Sequence, residues 1–263
     1  MIPNLFIAIN EDCNLDCSYC NVKKTKKKLT EKEVFQSLLY FIKFFPLATG
    51  YNVYFTWGEP LLSFREIVSG IYFMRKIEQK INKSFHIHIP TNGTLINEER
   101  AAFFQKHNIT ISLSIDSFDE SYTERPLVWK HDKQSQSIIR WLLPIITKYE
   151  TTFRVKIVVT PQHIDRIEGS LNEFYQLWFR FINIQPAHGV YWSTNEIDAY
   201  IAKLLFLRNN LDNYPWLEST TLKWSQSHTH TMKRCAKWVS EICIDSYGNI
   251  LTCDAFLAYE PEI

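Results

Sequence analysis

Strand-like and helix-like segments alternate along most of the chain, and this alternation constrains the fold more than any other feature of the sequence. Six short runs have the alternating pattern of β-strands, and six longer stretches between them have helical spacing. Strands that alternate with helices in this way form a parallel sheet. The strands are predicted at 4–10, 51–57, 85–91, 110–116, 152–160 and 181–187, and the helices at 31–45, 64–82, 97–107, 135–149, 167–180 and 195–210.

The predicted strands have one apolar and one polar face. In the fourth strand, Leu113 and Ile115 share one face, whereas Ser114 lies on the other. A closed eight-stranded barrel fills its lumen with branched apolar side chains, so a polar inner face predicts a wider, open barrel. We therefore predict an α/β protein with a partial (β/α)6 TIM-like barrel over residues 1–212. A small extension containing a β-hairpin is predicted over residues 213–263.

Three cysteines, Cys13, Cys17 and Cys20, directly follow the first predicted strand. Closely spaced thiolates select iron-sulfur clusters, zinc or copper. A structural zinc site takes four ligands, and no fourth Cys or His follows nearby. Three thiolates would instead leave one iron of a four-iron cluster open to an outside ligand. An iron-sulfur cluster is the favoured interpretation, and a zinc loop completed by a distant histidine is the weaker one.

With these cysteines the chain resembles the radical S-adenosylmethionine (radical SAM) enzymes. The spacing is C-x3-C-x2-C, and the aromatic residue that usually precedes the last cysteine is Tyr19. Further family motifs follow in order, namely WGEP at 57–60, TNGT at 91–94 and SIDS at 114–117. The resemblance implies a [4Fe-4S] cluster whose open iron is chelated by SAM, held on a partial (β/α)6 barrel. The resemblance runs from about residue 5 to at least residue 160.

The resemblance also implies which residues bind SAM. These candidates lie at or after the ends of predicted strands, where parallel α/β folds bind their ligands, and they are Tyr19, Gly58, Glu59, Pro60, Asn92, Ser114, Asp116 and Thr160. Tyr19 is expected against the adenine. Arg125 is either a partner for the SAM carboxylate or a surface arginine. One departure is Trp57, which stands where the family usually has glycine and which is costly if this position needs a positive φ.

A second group of cysteines, Cys235, Cys243 and Cys253, lies near the end of the chain. The spacing C-x12-G-x4-C, with Gly248 in a predicted β-hairpin, resembles the start of SPASM and twitch auxiliary-cluster domains. The full pattern contains later cysteines, whereas this chain stops ten residues after Cys253. Three interpretations stay open. All three cysteines could hold a second iron-sulfur cluster, later ligands could have been lost or removed, or no cluster forms and Cys243 is a small buried hydrophobe.

The family resemblance implies an enzyme that reductively cleaves SAM to a 5′-deoxyadenosyl radical, which takes a hydrogen atom from the substrate. Enzymes with such extensions often modify ribosomally made peptides, so peptide crosslinking or oxidation is predicted. A small-molecule dehydrogenase or epimerase is the main alternative, and a noncatalytic iron-sulfur or zinc-binding protein is another. The lysine-rich run at 23–28 is either a solvated loop or a surface that steers an acidic electron donor of the flavodoxin or ferredoxin type.

The composition of the chain limits which binding partners and which cellular compartment are expected. The formal net charge of +1 gives no drive toward nucleic acid or anionic membranes. No apolar stretch reaches the length of a membrane span, and the amino terminus does not resemble a signal peptide. The six cysteines fall in two tight groups, unlike the scattered cysteines of secreted disulfide frameworks. A cytoplasmic enzyme is therefore expected.

Overall fold

The computed structural model describes residues 1–119, 121–149, 153–215, 217–219, 222 and 240–251. Its strands are β1 Asn4–Ala8, β2 Gly50–Thr56, β3 Ser84–Thr91, β4 Ile109–Ser114, β5 Pro126–Leu127, β6 Lys130–Gln134, β7 Phe153–Val159, β8 Ile182–Pro186, β9 Glu241–Ile244 and β10 Ile250–Leu251. Its α-helices are α1 Glu31–Phe44, α2 Phe64–Ile81, α3 Glu98–Lys106, α4 Ser135–Lys148, α5 Ile167–Gln176 and α6 Thr194–Asn209. Among these helices, none has both the length and the apolarity needed to cross a membrane.

The six predicted strands form one curved parallel array in the order β1-β2-β3-β4-β7-β8, with helices between them. The predicted partial barrel of the α/β class is therefore confirmed. Helix α5 shows the largest error in a predicted boundary, because it ends at Gln176 rather than at residue 180. Trp178 adopts a φ of 68°, which a continuing right-handed helix does not allow.

The predicted C-terminal hairpin is present, and it lies in the barrel sheet. Strand β9 pairs in parallel with β1, from Asn4 opposite Glu241 to Ile7 opposite Ile244. Strand β10 returns antiparallel to β9 after a turn in which Gly248 has a φ of 85°. The sequence did not predict that this hairpin extends the sheet beside the first strand. The division of the chain after residue 212 stays a prediction.

The core lies between the sheet and its outer helices. Alternate residues of each central strand are almost fully buried there, and they include Leu5, Ile7, Val53, Phe55, Ile87, Ile89, Ile111, Leu113, Val155 and Ile157. Each such side chain contributes about 1.5–3 kcal/mol relative to an exposed position. The intervening residues point to the inner face, where Ser112 and Ser114 are partly exposed. The strands therefore have the predicted apolar face toward the helices and polar residues on the inner face.

The inner face carries an aromatic layer below its polar rim. The rings of Phe6 and Tyr54 stack with centroids 4.5 Å apart, and those of Tyr54 and His88 stack at 4.6 Å. Burial lowers the pKa of His88 to about 4, so this imidazole is neutral at physiological pH. The middle of this face is thus formed by uncharged rings from β1, β2 and β3.

Candidate active site

A cavity of about 1230 Å³ opens at the carboxyl ends of the barrel strands. Cys13, Cys17 and Cys20 all line it. Other lining residues that the sequence singled out are Tyr19, Trp57, Gly58, Glu59, Asn92, Ser114 and Arg125. The structure therefore brings the cysteine group and most of the SAM-binding candidates to one cavity, at the end of the sheet where the sequence predicted a site.

The segment that carries the cysteines, residues 10–28, is called the cluster loop below, and neither an α-helix nor a β-strand is formed within it. Burial raises the pKa of the Cys13 thiol to about 12 and that of Cys17 to about 11. Cys20 is exposed. Such thiols lose their protons when they bind a metal.

The arrangement of the cysteines fits a cluster better than a single metal ion. Within the described residues, no group of three or more His, Cys, Asp or Glu side chains is close enough to hold one metal ion. A [4Fe-4S] cluster binds its cysteine thiolates at separate irons, so its thiols surround a space and do not converge on a point. Cys13, Cys17 and Cys20 are the residues that would hold it.

A hairpin that the sequence did not predict supports the cluster loop from one side. This hairpin consists of β5 and β6, inserted between β4 and α4. Asp16 donates its backbone N–H to the Pro126 carbonyl at 2.8 Å, and Ser18 donates to the Glu124 carbonyl at 3.0 Å. The loop therefore forms part of a small irregular sheet with a segment more than 100 residues away in sequence.

The carboxylate of Glu59 organises the rim of the cavity. It is 1% exposed, and it accepts hydrogen bonds from the backbone N–H groups of Leu61 (3.0 Å) and Asn92 (2.8 Å) and from the Thr91 hydroxyl (2.6 Å). Burial raises the pKa of this carboxyl, and the three hydrogen bonds oppose that rise. The backbone N–H of Glu59 also donates to the Asp12 carbonyl at 2.7 Å. Glu59 thus joins the ends of β2 and β3 to the cluster loop.

Two residues before Glu59 have left-handed backbones. Gly58 has a φ of 36°, and a Cβ at this position would lie 2.3 Å from the Asp12 carbonyl oxygen, so a side chain does not fit. Trp57 has a φ of 73° and its side chain lines the cavity. A left-handed conformation costs an L-residue roughly 1–2 kcal/mol. Trp57 therefore keeps a strained backbone at the position where the family that the sequence resembles usually has glycine.

Asp116 is the centre of a buried ionic network at the end of β4. Its carboxylate accepts hydrogen bonds from the Tyr19 hydroxyl at 2.6 Å, from Arg125 Nε at 2.7 Å and Nη2 at 3.1 Å, and from the Val158 N–H at 2.8 Å. The Asp116 side chain is fully buried and does not line the cavity. These contacts give Asp116 a structural role in the described chain, and its contact with SAM or substrate stays a prediction.

The same network fixes Arg125 and Tyr19. Arg125 is 5% exposed, so it is not a surface arginine. Burial opposes its charge, but the Asp116 carboxylate more than offsets this, and the pKa of Arg125 lies above its usual value. Burial likewise raises the pKa of Tyr19, which keeps its hydroxyl as a donor. The guanidinium also lies 5.3 Å from the Tyr19 ring centroid, so it holds this ring within the cluster loop.

Three further predicted site residues, Pro60, Thr160 and Cys243, lie outside the cavity lining. Thr160 is buried and its hydroxyl is 2.7 Å from His163 Nδ1, and Pro60 begins a buried 3-10 turn. Cys243 is fully buried in β9 opposite Phe6, as expected of a small hydrophobe. Cys235 and Cys253 lie outside the described residues, so the proposed second ligand group is not placed here.

Helix α6 supplies a cavity wall that the sequence did not assign. Tyr200, Ile201, Leu204, Leu205 and Arg208 from this helix line the cavity, as does Lys156 from β7. The helical spacing of the apolar residues predicts that one side of α6 is covered, but nothing in the sequence shows that this side borders the cavity.

A family model for the radical SAM superfamily matches residues 7–154, which is more than half of the chain. The chain belongs to the radical SAM superfamily. It is 28% identical to a cysteine-type anaerobic sulfatase-maturating enzyme of Clostridium novyi (strain NT), with 97% of this chain and 74% of that protein covered. It is 21% identical to a serine-type anaerobic sulfatase-maturating enzyme of Klebsiella aerogenes, with coverages of 98% and 68%.

Solved structures with the same fold include the enzyme anSMEcpe with bound AdoMet, at a TM-score of 0.78 and 18% identity over 97% of this chain and 74% of that one. SuiB of Streptococcus suis, bound to the precursor peptide SuiA, superposes with a TM-score of 0.65 and 16% identity, with coverages of 99% and 61%. These likenesses confirm the fold. With the family established, the protein is an enzyme whose cofactors are a [4Fe-4S] cluster and SAM.

The strained backbone of Trp57 predicts which of two substitutions gives the more stable protein. Trp57→Gly and Trp57→Ala both remove the indole, but only alanine must then keep a Cβ at a φ of 73°. We expect the glycine variant to be more stable by about 1 kcal/mol, although glycine normally destabilises a folded chain relative to alanine. Urea denaturation of both variants measures the difference. A more stable alanine variant would show that this backbone is not held in the left-handed region.

The Asp116 network predicts that two conservative substitutions lower the free energy of unfolding by different amounts. Asp116→Asn leaves the Arg125 charge buried without its partner, which costs about 3–5 kcal/mol. Tyr19→Phe removes one of four hydrogen bonds to the carboxylate and should cost about 1.5–3 kcal/mol, the range for a hydrogen bond to a charged group. Chemical denaturation compares them, and adding Arg125→Met to Asp116→Asn should recover part of the loss. Equal costs for the two single variants would contradict the assigned network.

Proposed function

We propose that this radical SAM enzyme modifies a ribosomally made peptide, by forming a crosslink or by oxidising a side chain. The observation that carries the proposal is that the three cysteines and apolar residues of α6 line the same cavity. Its volume of about 1230 Å³ exceeds the range of roughly 300–1,000 Å³ typical of sites for one small ligand. This space suits SAM together with a substrate side chain.

The two cofactors, when bound, supply one-electron cleavage of SAM to methionine and a 5′-deoxyadenosyl radical. The protein's residues bind, orient and shield the reactants. Cys13, Cys17 and Cys20 would bind the cluster. Tyr19, held by Asp116, supports the loop between the last two cysteines.

The α6 wall contributes apolar side chains to the cavity. Ile201 and Leu205 line the cavity and are about half exposed, at 49% and 45%. Half-exposed apolar side chains in a concave site favour contact with an apolar part of a ligand. Lys156 and Arg208 add positive charge to the same lining. A peptide, which carries apolar side chains and carbonyl or carboxylate oxygens, matches both features.

The similar proteins support a peptide substrate in different ways. The curated relatives are named for the maturation of sulfatases, which are proteins, and the SuiB structure contains a precursor peptide. The sequence similarity to the first of these relatives spans nearly the whole chain. Together with the cavity, these relatives favour peptide modification over the small-molecule alternative.

Mass spectrometry tests the proposal directly. Short peptides encoded beside the gene are co-expressed anaerobically with the enzyme, and a substrate should become lighter by hydrogens. Cys17→Ala should abolish the mass change because the cluster loses a ligand. Ser18→Ala should preserve it, because Ser18 bonds to the Glu124 carbonyl through its backbone N–H. Unchanged peptide masses, despite 5′-deoxyadenosine in the same extract, would redirect the proposal toward epimerisation or a small-molecule substrate.

The cluster loop also carries the proposed docking surface for an acidic electron donor. Three of its lysines have carboxylate partners, since Lys24 pairs with Asp16, Lys26 with Asp12 and Lys28 with Glu66. The Lys26 side chain nevertheless remains 87% exposed. Exposed charges of this kind mainly set the rate at which the electron donor associates, and their effect weakens as the salt concentration rises.

Replacing Lys26 and Lys28 with Gln should slow flavodoxin-driven turnover several-fold at low salt and leave dithionite-driven turnover unchanged. A double replacement of Lys76 and Lys80, on helix α2 away from the loop, is the matched control and should slow neither reaction. Both rates are measured as 5′-deoxyadenosine formed per minute. Equal slowing with both reductants would reject the steering surface.

We also propose that Cys235 and Cys253 bind an auxiliary iron-sulfur cluster, on the basis of their spacing with Gly248. The buried position of Cys243 opposite Phe6 argues against this residue as a third ligand. Iron is counted in the variant with Cys13, Cys17 and Cys20 all replaced by alanine. Residual iron that also disappears with Cys253→Ala would support the second cluster, and iron-free protein would reject it.

A further inference from the structure

The turn of the C-terminal hairpin, residues 245–248, contacts the cluster loop close to the first cysteine. The Glu11 carboxylate accepts a hydrogen bond from the Thr25 hydroxyl at 2.5 Å through one oxygen, and from the Ser246 hydroxyl through the other. Ser246 is 1% exposed and lies 235 residues from Glu11 in sequence. One side chain therefore joins both arms of the cluster loop to the C-terminal hairpin.

The backbone around Glu11 makes this contact part of a defined structure. Strand β9 pairs with β1 as far as Ile7 and Ile244, which places the hairpin turn beside the residues that follow β1. The Glu11 N–H donates to the Lys27 carbonyl at 3.0 Å. Lys27 Nζ in turn lies 5.0 Å from the ring centroid of Tyr247 in the same turn. The base of the cluster loop and the turn thus touch through two pairs of side chains.

The hydrogen bonds of the Glu11 carboxylate are suited to holding the cluster loop against the hairpin turn. Hydrogen bonds from hydroxyls to a carboxylate are stronger than those between neutral groups. Ser246 needs such a partner because its hydroxyl is buried. Glu11 does not line the cavity, so it does not meet SAM or substrate there. It precedes Cys13 by two residues, and its position sets the direction in which the chain enters the cysteine motif.

We propose that Glu11 is a positioning residue through which the C-terminal hairpin holds the cluster loop in the shape that retains the [4Fe-4S] cluster. The hairpin then contributes to the SAM-cleaving site itself, in addition to any second cluster that the C-terminal segment carries. This inference rests on the established cofactor and is independent of the identity of the substrate.

The test measures how fast iron leaves the full-length, anaerobically reconstituted enzyme for the chelator bathophenanthroline. Ser246→Ala removes the donor to Glu11, and Ser246→Thr restores a hydroxyl. Asn249→Ala is the matched control, because the Asn249 side chain bonds to Asp245 within the same turn. Parallel samples lacking Cys13, Cys17 and Cys20 give the iron held elsewhere, which is subtracted.

We expect Ser246→Ala to accelerate iron loss about tenfold, the factor that corresponds to about 1.4 kcal/mol in the opening of the loop. Ser246→Thr should return the rate toward wild type, and Asn249→Ala should leave it unchanged. The electron paramagnetic resonance spectrum of the reduced, SAM-bound cluster should also change in Ser246→Ala, which a purely global loss of stability would not produce.

The proposal is overturned if iron loss from Ser246→Ala equals that from Asn249→Ala, or rises only in proportion to a lowered unfolding midpoint. If Ser246→Ala does not fold, Glu11→Gln keeps the size of the side chain and weakens both hydroxyl contacts. This variant should show the same accelerated iron loss, and a wild-type rate would reject the role of Glu11.

Discussion

The structure of the active site depends on how an irregular loop is held in place. The cluster loop must present three cysteines to one cavity, yet no α-helix or β-strand of its own fixes their positions. The loop is instead held by hydrogen bonds, through its backbone and the Glu11 side chain, from distant parts of the chain. The end of β2 holds Asp12, the hairpin β5–β6 holds Asp16 and Ser18, and the turn after β9 holds Glu11. The barrel is thus the frame that makes these remote contacts possible.

Two buried carboxylates at the rim, Glu59 and Asp116, illustrate how charge is used for structure here. Glu59 is held by hydrogen-bond donors from three residues, and Asp116 by Arg125, Tyr19 and a backbone N–H. Buried charges are tolerated only when they are paired and fully hydrogen-bonded. Both acidic groups thus serve the structure of the rim, whereas α6 adds apolar residues and Arg208 to the cavity lining, and β7 adds Lys156.

The regular part of the fold could be predicted because its signals are local. Alternation identified all six barrel strands, and helical spacing identified the helices, with α1 predicted over 31–45 and observed at Glu31–Phe44. The three-cysteine motif was equally local, since its spacing lies within eight consecutive residues. Membership of the superfamily confirmed the cofactors that this motif implied.

The missed features depend on contacts between residues that are far apart in sequence. Nothing near Glu241 shows that β9 pairs with β1, 237 residues earlier. Arg125 lies among polar neighbours in sequence, and only the folded chain places it against Asp116 at 2.7 Å. The φ of Trp57 likewise follows from how β2 ends against the cluster loop, and a bulky side chain gives no sign of a left-handed backbone. Site residues that act through such contacts need the structure to reveal them.

The most direct test of this account is reductive cleavage of SAM by the anaerobically reconstituted enzyme with dithionite and no added substrate. Wild type and the Cys17→Ala variant are compared by liquid chromatography and mass spectrometry for 5′-deoxyadenosine and methionine. The account predicts that wild type forms both products in equal amounts and that the variant forms neither. Intact SAM after incubation with a wild-type protein that retains its iron would contradict the assignment of this cavity as a SAM-cleaving site.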